Sequence, residues 1–271
     1  MELLVINDGS TDSTDEEVGR LQEIYPGEIE YIKTENVGLS ATRNRGIDES
    51  SGAYIVFLDA DDALLGNGLN VLREGIARAP HAKMVAAGHI SVSESGSEVY
   101  HRGSTVPEGS CQRLRSYLLD KTISLSNGAV AMHRDTFDKY RYKEEFKSSE
   151  DLPMFAFVLA NYPVVVESKA VVKIHKHRDS MRHNVDTAKA VGELLINEIF
   201  DLGRMPVSVM GLKKAFTAQR YLSISRTCFF GGDYSGCESY YRKALLVDWR
   251  VLFKLSYARK ALKAWRYTRR K

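Results

Sequence analysis

An α/β fold with a mainly parallel sheet flanked by helices, followed by an all-helical C-terminal subdomain, is what this sequence of 271 residues predicts. Three observations point there. Short apolar runs alternate with helix-period segments over residues 2–90, the spacing of βα units. Two acidic stretches, NDGSTD (7–12) and DADD (59–62), each directly follow an apolar run. They therefore lie beyond the carboxyl ends of strands, where open α/β sheets bind their ligands. After Asp186 the strand signals stop and only helical ones continue. We expect residues 1–185 to form one domain and 186–271 a helical subdomain.

Taken in order, ELLVI (2–6) is the first strand, and a helix over 14–24 follows it, with Ser13 and Glu16 at capping-box spacing. IEYIK (29–33) is the second strand, 38–50 a helix, AYIVFL (53–58) the third strand, 67–79 a helix and KMVAAGHI (83–90) the fourth strand. Residues 91–125, rich in Ser and Gly, read as a long loop. LSNGAVAMH, SSEDLPMFAFVLA and VVVESKAVVKIH add two or three strands and a helix. The Gly-Asp-Tyr at 232–234 reads as the turn of a helical hairpin, and 251–271 as a basic amphipathic helix.

Composition excludes several classes. At 44% hydrophobic and 27% charged, with a net charge of +3, the chain is an ordinary globular one with no reason to expect a nucleic-acid partner. Its three cysteines form no CxxC, which suits a reducing cytoplasm and offers no zinc site. No apolar run is long enough to span a bilayer and no secretory leader is visible. No GxGxxG follows a strand and no GxxxxGK[ST] occurs, so neither a dinucleotide nor a P-loop site is expected.

DADD carries the strongest chemical signal. Two like charges about 4 Å apart repel by ~1 kcal/mol in water and ~4 kcal/mol at the effective dielectric of a protein surface. A helix cap explains one Asp; three carboxylates call for a cation. Mg²⁺ or Mn²⁺ takes one or two carboxylates and leaves its other positions to phosphate oxygens. Asp8 ends the first strand, where it either closes a tight turn or accepts hydrogen bonds from a base or ribose. Arg43 and Arg45 sit near a helix start, where positive charge is unfavourable unless it faces an anion. Glu150 and Asp151 open the helix SSEDLPMFAFVLA, either as an acidic first turn or as the source of a general base.

INDGSTDST, ENVGLSATRNRGI and SGAYIVFLDADDAL, in this order and with SSED and HRDSMRH beyond them, resemble the family 2 glycosyltransferases of GT-A (Rossmann-like) fold. The resemblance spans roughly residues 2–183. It implies an inverting, metal-dependent transfer from a nucleotide-diphosphate sugar, UDP-linked, to a hydroxyl of a saccharide or lipid-linked saccharide in surface polysaccharide synthesis. Carried onto this chain, Asp8 and Arg43 contact the nucleotide. Asp59 and Asp61 form the DxD pair, with Asp59 nearer the ribose, Asp61 the direct ligand of Mn²⁺ or Mg²⁺, and Asp62 a neighbour. Asp151, ahead of Glu150, is the base. HKHRDSMRH either makes a surface basic strand or places Arg178 on the diphosphate, with one of His175 and His177 facing the site and His177 as a further metal ligand.

Members of the family open with a further strand and helix before the NDGSTD strand, whereas this chain begins on it, so an exposed edge is expected beside residues 2–6. The competing expectation is a catalytically impaired, truncated remnant that acts as a binding or membrane-associated module. The basic C-terminal helix either packs on the domain or makes peripheral contact with the inner face of a membrane.

Overall fold

The computed structural model describes residues 1–146, 148–176 and 185–269. The chain opens with β1 (Leu3–Asp8), α1 (Thr14–Ile24), β2 (Ile29–Thr34) and α2 (Leu39–Glu49). β1 and β2 pair in parallel as a sheet of their own, and among the described residues the other edge of β1 pairs with no strand, as the sequence suggested. The Ser13 side chain makes no capping bond to α1. One residue earlier, Asp12 accepts from the Thr14 amide at 3.1 Å, and Asp15, Glu16 and Glu17 line the first turn where the helix dipole favours acids.

β3 (Tyr54–Ile55), β4 (Ala63–Leu64), α3 (Gly68–Arg78), β5 (Met84–Val92) and β6 (Glu98–His101) come next. After α4 (Ser110–Arg115) come β7 (Val130–His133), α5 (Asp135–Lys139), α6 (Asp151–Asn161) and β8 (Val164–His175). The six-stranded sheet runs β3-β7-β5-β8-β4, with β6 beside the far half of β5. It is mixed rather than mainly parallel. β5 and β8 are parallel, whereas β3–β7, β5–β7, β5–β6 and β4–β8 are antiparallel.

Alternation along β5 divides the core. Met84 and Ala86 face α6 together with Val130 and Met132, while Val85 and Ala87 face α3 with Ala131 and Val171. α6 is buried from Pro153 through Ala160, which is why its sequence is apolar on all sides. On β5, His89 is buried and its ring stacks on His101 of β6 with centroids 4.5 Å apart.

α7 (Val185–Ile199) extends the α6 core through Val191, Leu195 and Ile199. α8 (Lys213–Phe230) and α9 (Tyr234–Val247) form the expected hairpin, in which Asp233 caps α9 by accepting from the Gly236 amide at 2.8 Å. A 3-10 turn (Trp249–Phe253) leads into α10 (Leu255–Thr268), which lays Ala261 and Ala264 against the α8–α9 pair.

Candidate active site

The two acidic stretches end up on different supports. Asp8, at the tip of β1, accepts from the amides of Val37 and Gly38 at 2.8 and 2.9 Å, and so fixes the loop that enters α2. The turn behind it needs glycine. Gly9 has φ +75°, and a Cβ there would stand 2.7 Å from the Asn36 backbone nitrogen.

Residues 59–62 make a turn held by β8. The Asp62 amide donates to the Asp59 carbonyl at 3.0 Å, and the Asp62 carboxylate accepts from the His175 amide at 3.0 Å. The His175 ring Nδ1 lies 2.7 Å from the Asp61 carbonyl oxygen. Burial raises the Asp62 carboxyl above the usual Asp value, the His175 amide works against that, and the charges of Asp61 and Asp59 add to the rise. Asp62 is thus tied into the turn, while the Asp61 side chain is exposed.

Arg43 joins this turn to the start of α6. It is 5% exposed. Its Nη2 donates to Asp59 at 2.9 Å and its Nη1 to Glu150 at 2.5 Å. The guanidinium lies 5.4 Å from the Tyr142 ring centroid and 6.0 Å from that of Phe57. With its oxygen turned toward the guanidinium, the Asn127 amide accepts from both nitrogens, at 3.0 and 3.3 Å. Burial opposes the charge, but Tyr142, Asp59 and Glu150 more than offset it and hold Arg43 above the ordinary arginine value.

Glu150 is therefore buried and committed to Arg43, whereas Asp151, the first residue of α6, is half-buried. Ser149, just before them, has φ +62°, and its carbonyl accepts from the Leu152 amide at 3.2 Å. Near Asp151, burial raises the Tyr117 phenol well above its usual value, and the Asp151 charge adds to the rise.

Of the residues singled out in the sequence, Arg43, Asp59 and Glu150 are in direct contact, and Asp61 belongs to the same turn as Asp59. Arg45 instead pairs with Glu49 on the surface of α2, at 3.5 Å. Arg178 and His177 lie outside the described residues. Sequence reading missed Tyr142 and Asn127, which reach Arg43 from two further segments, and Phe57, which reaches it from the run leading into the acidic turn. Only burial marks them, and no local spacing announces it.

Among the described residues, no group of three or more His, Cys, Asp or Glu side chains is arranged to hold a metal ion. Asp62 is turned to a backbone amide and Asp59 shares its charge with Arg43. Asp61, exposed on the same turn as Asp59, gives with it a pair of carboxylates, the donor type an ion of the Mg²⁺ or Mn²⁺ kind takes together with phosphate oxygens.

A family model, Glycosyl transferase family 2, matches residues 1–141, half of the chain. The chain belongs to glycosyl transferase family 2. It is 29% identical over 209 residues to the minor teichoic acid biosynthesis protein GgaA of Bacillus subtilis, an alignment covering 74% of this chain and 46% of that protein. A Campylobacter jejuni GalNAc(5)-diNAcBac-PP-undecaprenol beta-1,3-glucosyltransferase is 36% identical over 76 residues, 27% of this chain and 24% of that enzyme. The chain spans less than half the length of these curated relatives. Among solved structures, S. aureus TarS 1-349 superposes with a TM-score of 0.67 at 19% identity, covering 98% of this chain and 80% of TarS 1-349. Its complex with UDP gives a TM-score of 0.62 at 20% identity, with the same coverage of both chains. The likeness shows the fold, the GT-A type that the sequence motifs resembled.

Proposed function

We propose that this chain transfers a sugar, with inversion, from a UDP-sugar to a hydroxyl of a lipid-linked polysaccharide precursor. The observation that carries the reading is the Arg43 node. One buried guanidinium holds Asp59, beside the candidate metal ligand, and Glu150, beside the candidate base. Donor-side and acceptor-side carboxylates, 91 residues apart between Asp59 and Glu150, are thereby fixed to a common point. The relatives' names support the substrate classes: teichoic acid synthesis for GgaA and an undecaprenol-linked acceptor for the Campylobacter enzyme. A fold neighbour solved with UDP supports the donor.

The Asp151 carboxylate takes the proton of the acceptor hydroxyl while that oxygen bonds to the anomeric carbon and the bond from that carbon to the diphosphate oxygen breaks. We assign the base to Asp151, the half-buried first residue of α6, and a structural part to Glu150, which is buried against Arg43. Asp8 shapes the nucleotide pocket through the Val37–Gly38 loop. Arg43 acts by positioning, since both of its Nη nitrogens already have partners. A divalent ion held by Asp61 and Asp59 would neutralise charge on the departing diphosphate. The basic C-terminal segment would keep the chain at the membrane that carries the acceptor.

The melting temperature with UDP, with and without Mn²⁺, tests donor binding, with Asp61→Asn as control. A Mn²⁺-dependent rise that Asp61→Asn abolishes is expected. Asp151→Asn should keep that rise and lose transfer by roughly 10²–10⁴-fold, the usual contribution of a general base. No rise in the folded parent would favour the non-catalytic binding module.

A further inference from the structure

α10 shows two unlike faces. Tyr257, Ala258, Ala261 and Ala264 pack on the α8–α9 pair. On the exposed side, Leu255, Arg259, Leu262, Arg266 and Arg269 recur at helical spacing and form one stripe along a helix roughly 21 Å long. Leu255 and Leu262 are 62% and 53% exposed. Among the described residues, Arg259 and Arg266 enter no ion pair or hydrogen bond, and Leu262 lies between them. The turn that feeds this stripe adds Trp249 and Phe253, 65% and 73% exposed, whose rings meet at 5.9 Å. From Trp249 to Lys271 the sequence contains no Asp or Glu.

An ordinary solvated helix face carries both signs of charge and few leucines. This one sets leucines among arginines and begins at a paired tryptophan and phenylalanine. Of those arginines, Arg259 and Arg266 enter no ion pair among the described residues, and Arg269 lies 4.4 Å from the Trp265 ring centroid. Apolar groups that stay exposed among cations match an interface with hydrocarbon below and negative headgroups above. An acidic protein would match the arginines but would not need alternating leucine and an exposed aromatic pair. Among the described residues no helix is long and apolar enough to cross a membrane, so contact here would be lateral.

We propose that the Trp249–Phe253 turn and the Leu255–Arg269 stripe of α10 form a docking surface for a bilayer rich in anionic lipid. It rests on the reading of a membrane-bound acceptor and gives that reading a location. The aromatic turn enters the headgroup layer, the two leucines reach the acyl boundary, and the arginines take the phosphates.

Vesicle co-sedimentation of the full chain tests it, using phosphatidylglycerol–phosphatidylcholine vesicles against phosphatidylcholine alone. Binding to the anionic vesicles, weakened by 0.5 M salt, is expected. Arg259→Gln with Arg266→Gln should lower the partition coefficient by about tenfold or more, since each basic residue near such a surface is worth roughly fivefold. Trp249→Ser with Phe253→Ser should lower it comparably. Equal binding to both vesicles, no binding, or indifference to both variant pairs would overturn the proposal. So would a dimer in sedimentation velocity that Trp249→Ser with Phe253→Ser dissolves, because a second copy would then cover the surface. Transfer to a soluble saccharide acceptor, measured alongside, should be the same in parent and surface variants. Its absence in the parent would count against the transferase reading alone and leave the vesicle result standing.

Discussion

Arg43 and His89 are basic side chains buried to almost the same degree, 5% and 8% exposed, in two regions of the same α/β core. Their charges end differently. Arg43 meets Asp59, Glu150 and the Asn127 amide and stays charged. His89 meets the ring of His101; burial, then the charges of His101 and Lys176, push it down to about 4, so it is neutral at pH 7. Burial alone does not decide whether a base keeps its proton. The neighbours supplied from distant segments decide it, and near the candidate site they include two carboxylates.

The largest way to break this contrast is Arg43→Ala, which strands Glu150 in the core without its counter-charge. We expect a loss of about 3–5 kcal/mol in urea unfolding. Replacing the pair together, Arg43→Met with Glu150→Gln, should recover most of it, since no charge is then left buried. An equal loss in the double variant would mean that packing, not charge, holds the node.

His89 sharpens the comparison through pH. Its folded value lies below its ordinary one, so the unfolded chain binds the extra proton. The stability it contributes is complete above pH ~6.5 and is lost as pH falls toward 4, on the order of 2 kcal/mol after allowance for partial solvent access. The stability of the parent relative to His89→Phe should fall by about that amount between pH 7 and pH 4, because only the parent's unfolded chain takes up the extra proton. A parent whose stability is flat from pH 7 to 4.5 would contradict the assignment.

The smallest effect belongs to the exposed arginines. Arg259→Gln should change unfolding stability by less than about 0.5 kcal/mol, because it breaks no ion pair or hydrogen bond among the described residues. A larger change would mean that the α10 stripe already has a partner within the chain.

Much of the fold is legible in the sequence wherever periodicity is local. The helices over 14–24, 38–50 and 67–79 and the strand over 83–90 stand close to where the pattern puts them. AYIVFL reads as a six-residue strand, yet only Tyr54 and Ile55 pair, because the chain leaves the sheet to make the turn at 59–62. The loop expected over 91–125 contains β6 and α4, and exposed Val99 and Tyr100 lack the alternation that would have announced that strand. Strand direction was misjudged because pairing is set by distant partners such as β7 and β8 rather than by local pattern.

Within the candidate site the acidic turn is plainly legible, since three neighbouring aspartates need no partner to be noticed. The burial of Arg43 is not. Its spacing suggested a cation facing a ligand, but its partner Glu150 lies 107 residues along the chain. Asp8 likewise could be placed at a strand tip, though not the two amides that occupy its carboxylate.

The clasp between Asp62 and the His175 amide spans 113 residues. At a synthesis rate of ~5–20 residues per second, the DADD turn would leave the ribosome roughly 6–20 s before the strand end that secures it. Throughout that interval three aspartates would stand without the backbone donor that anchors one of them. Arg43, already made, could hold Asp59 meanwhile, and the end of β8 would be the event that fastens Asp62.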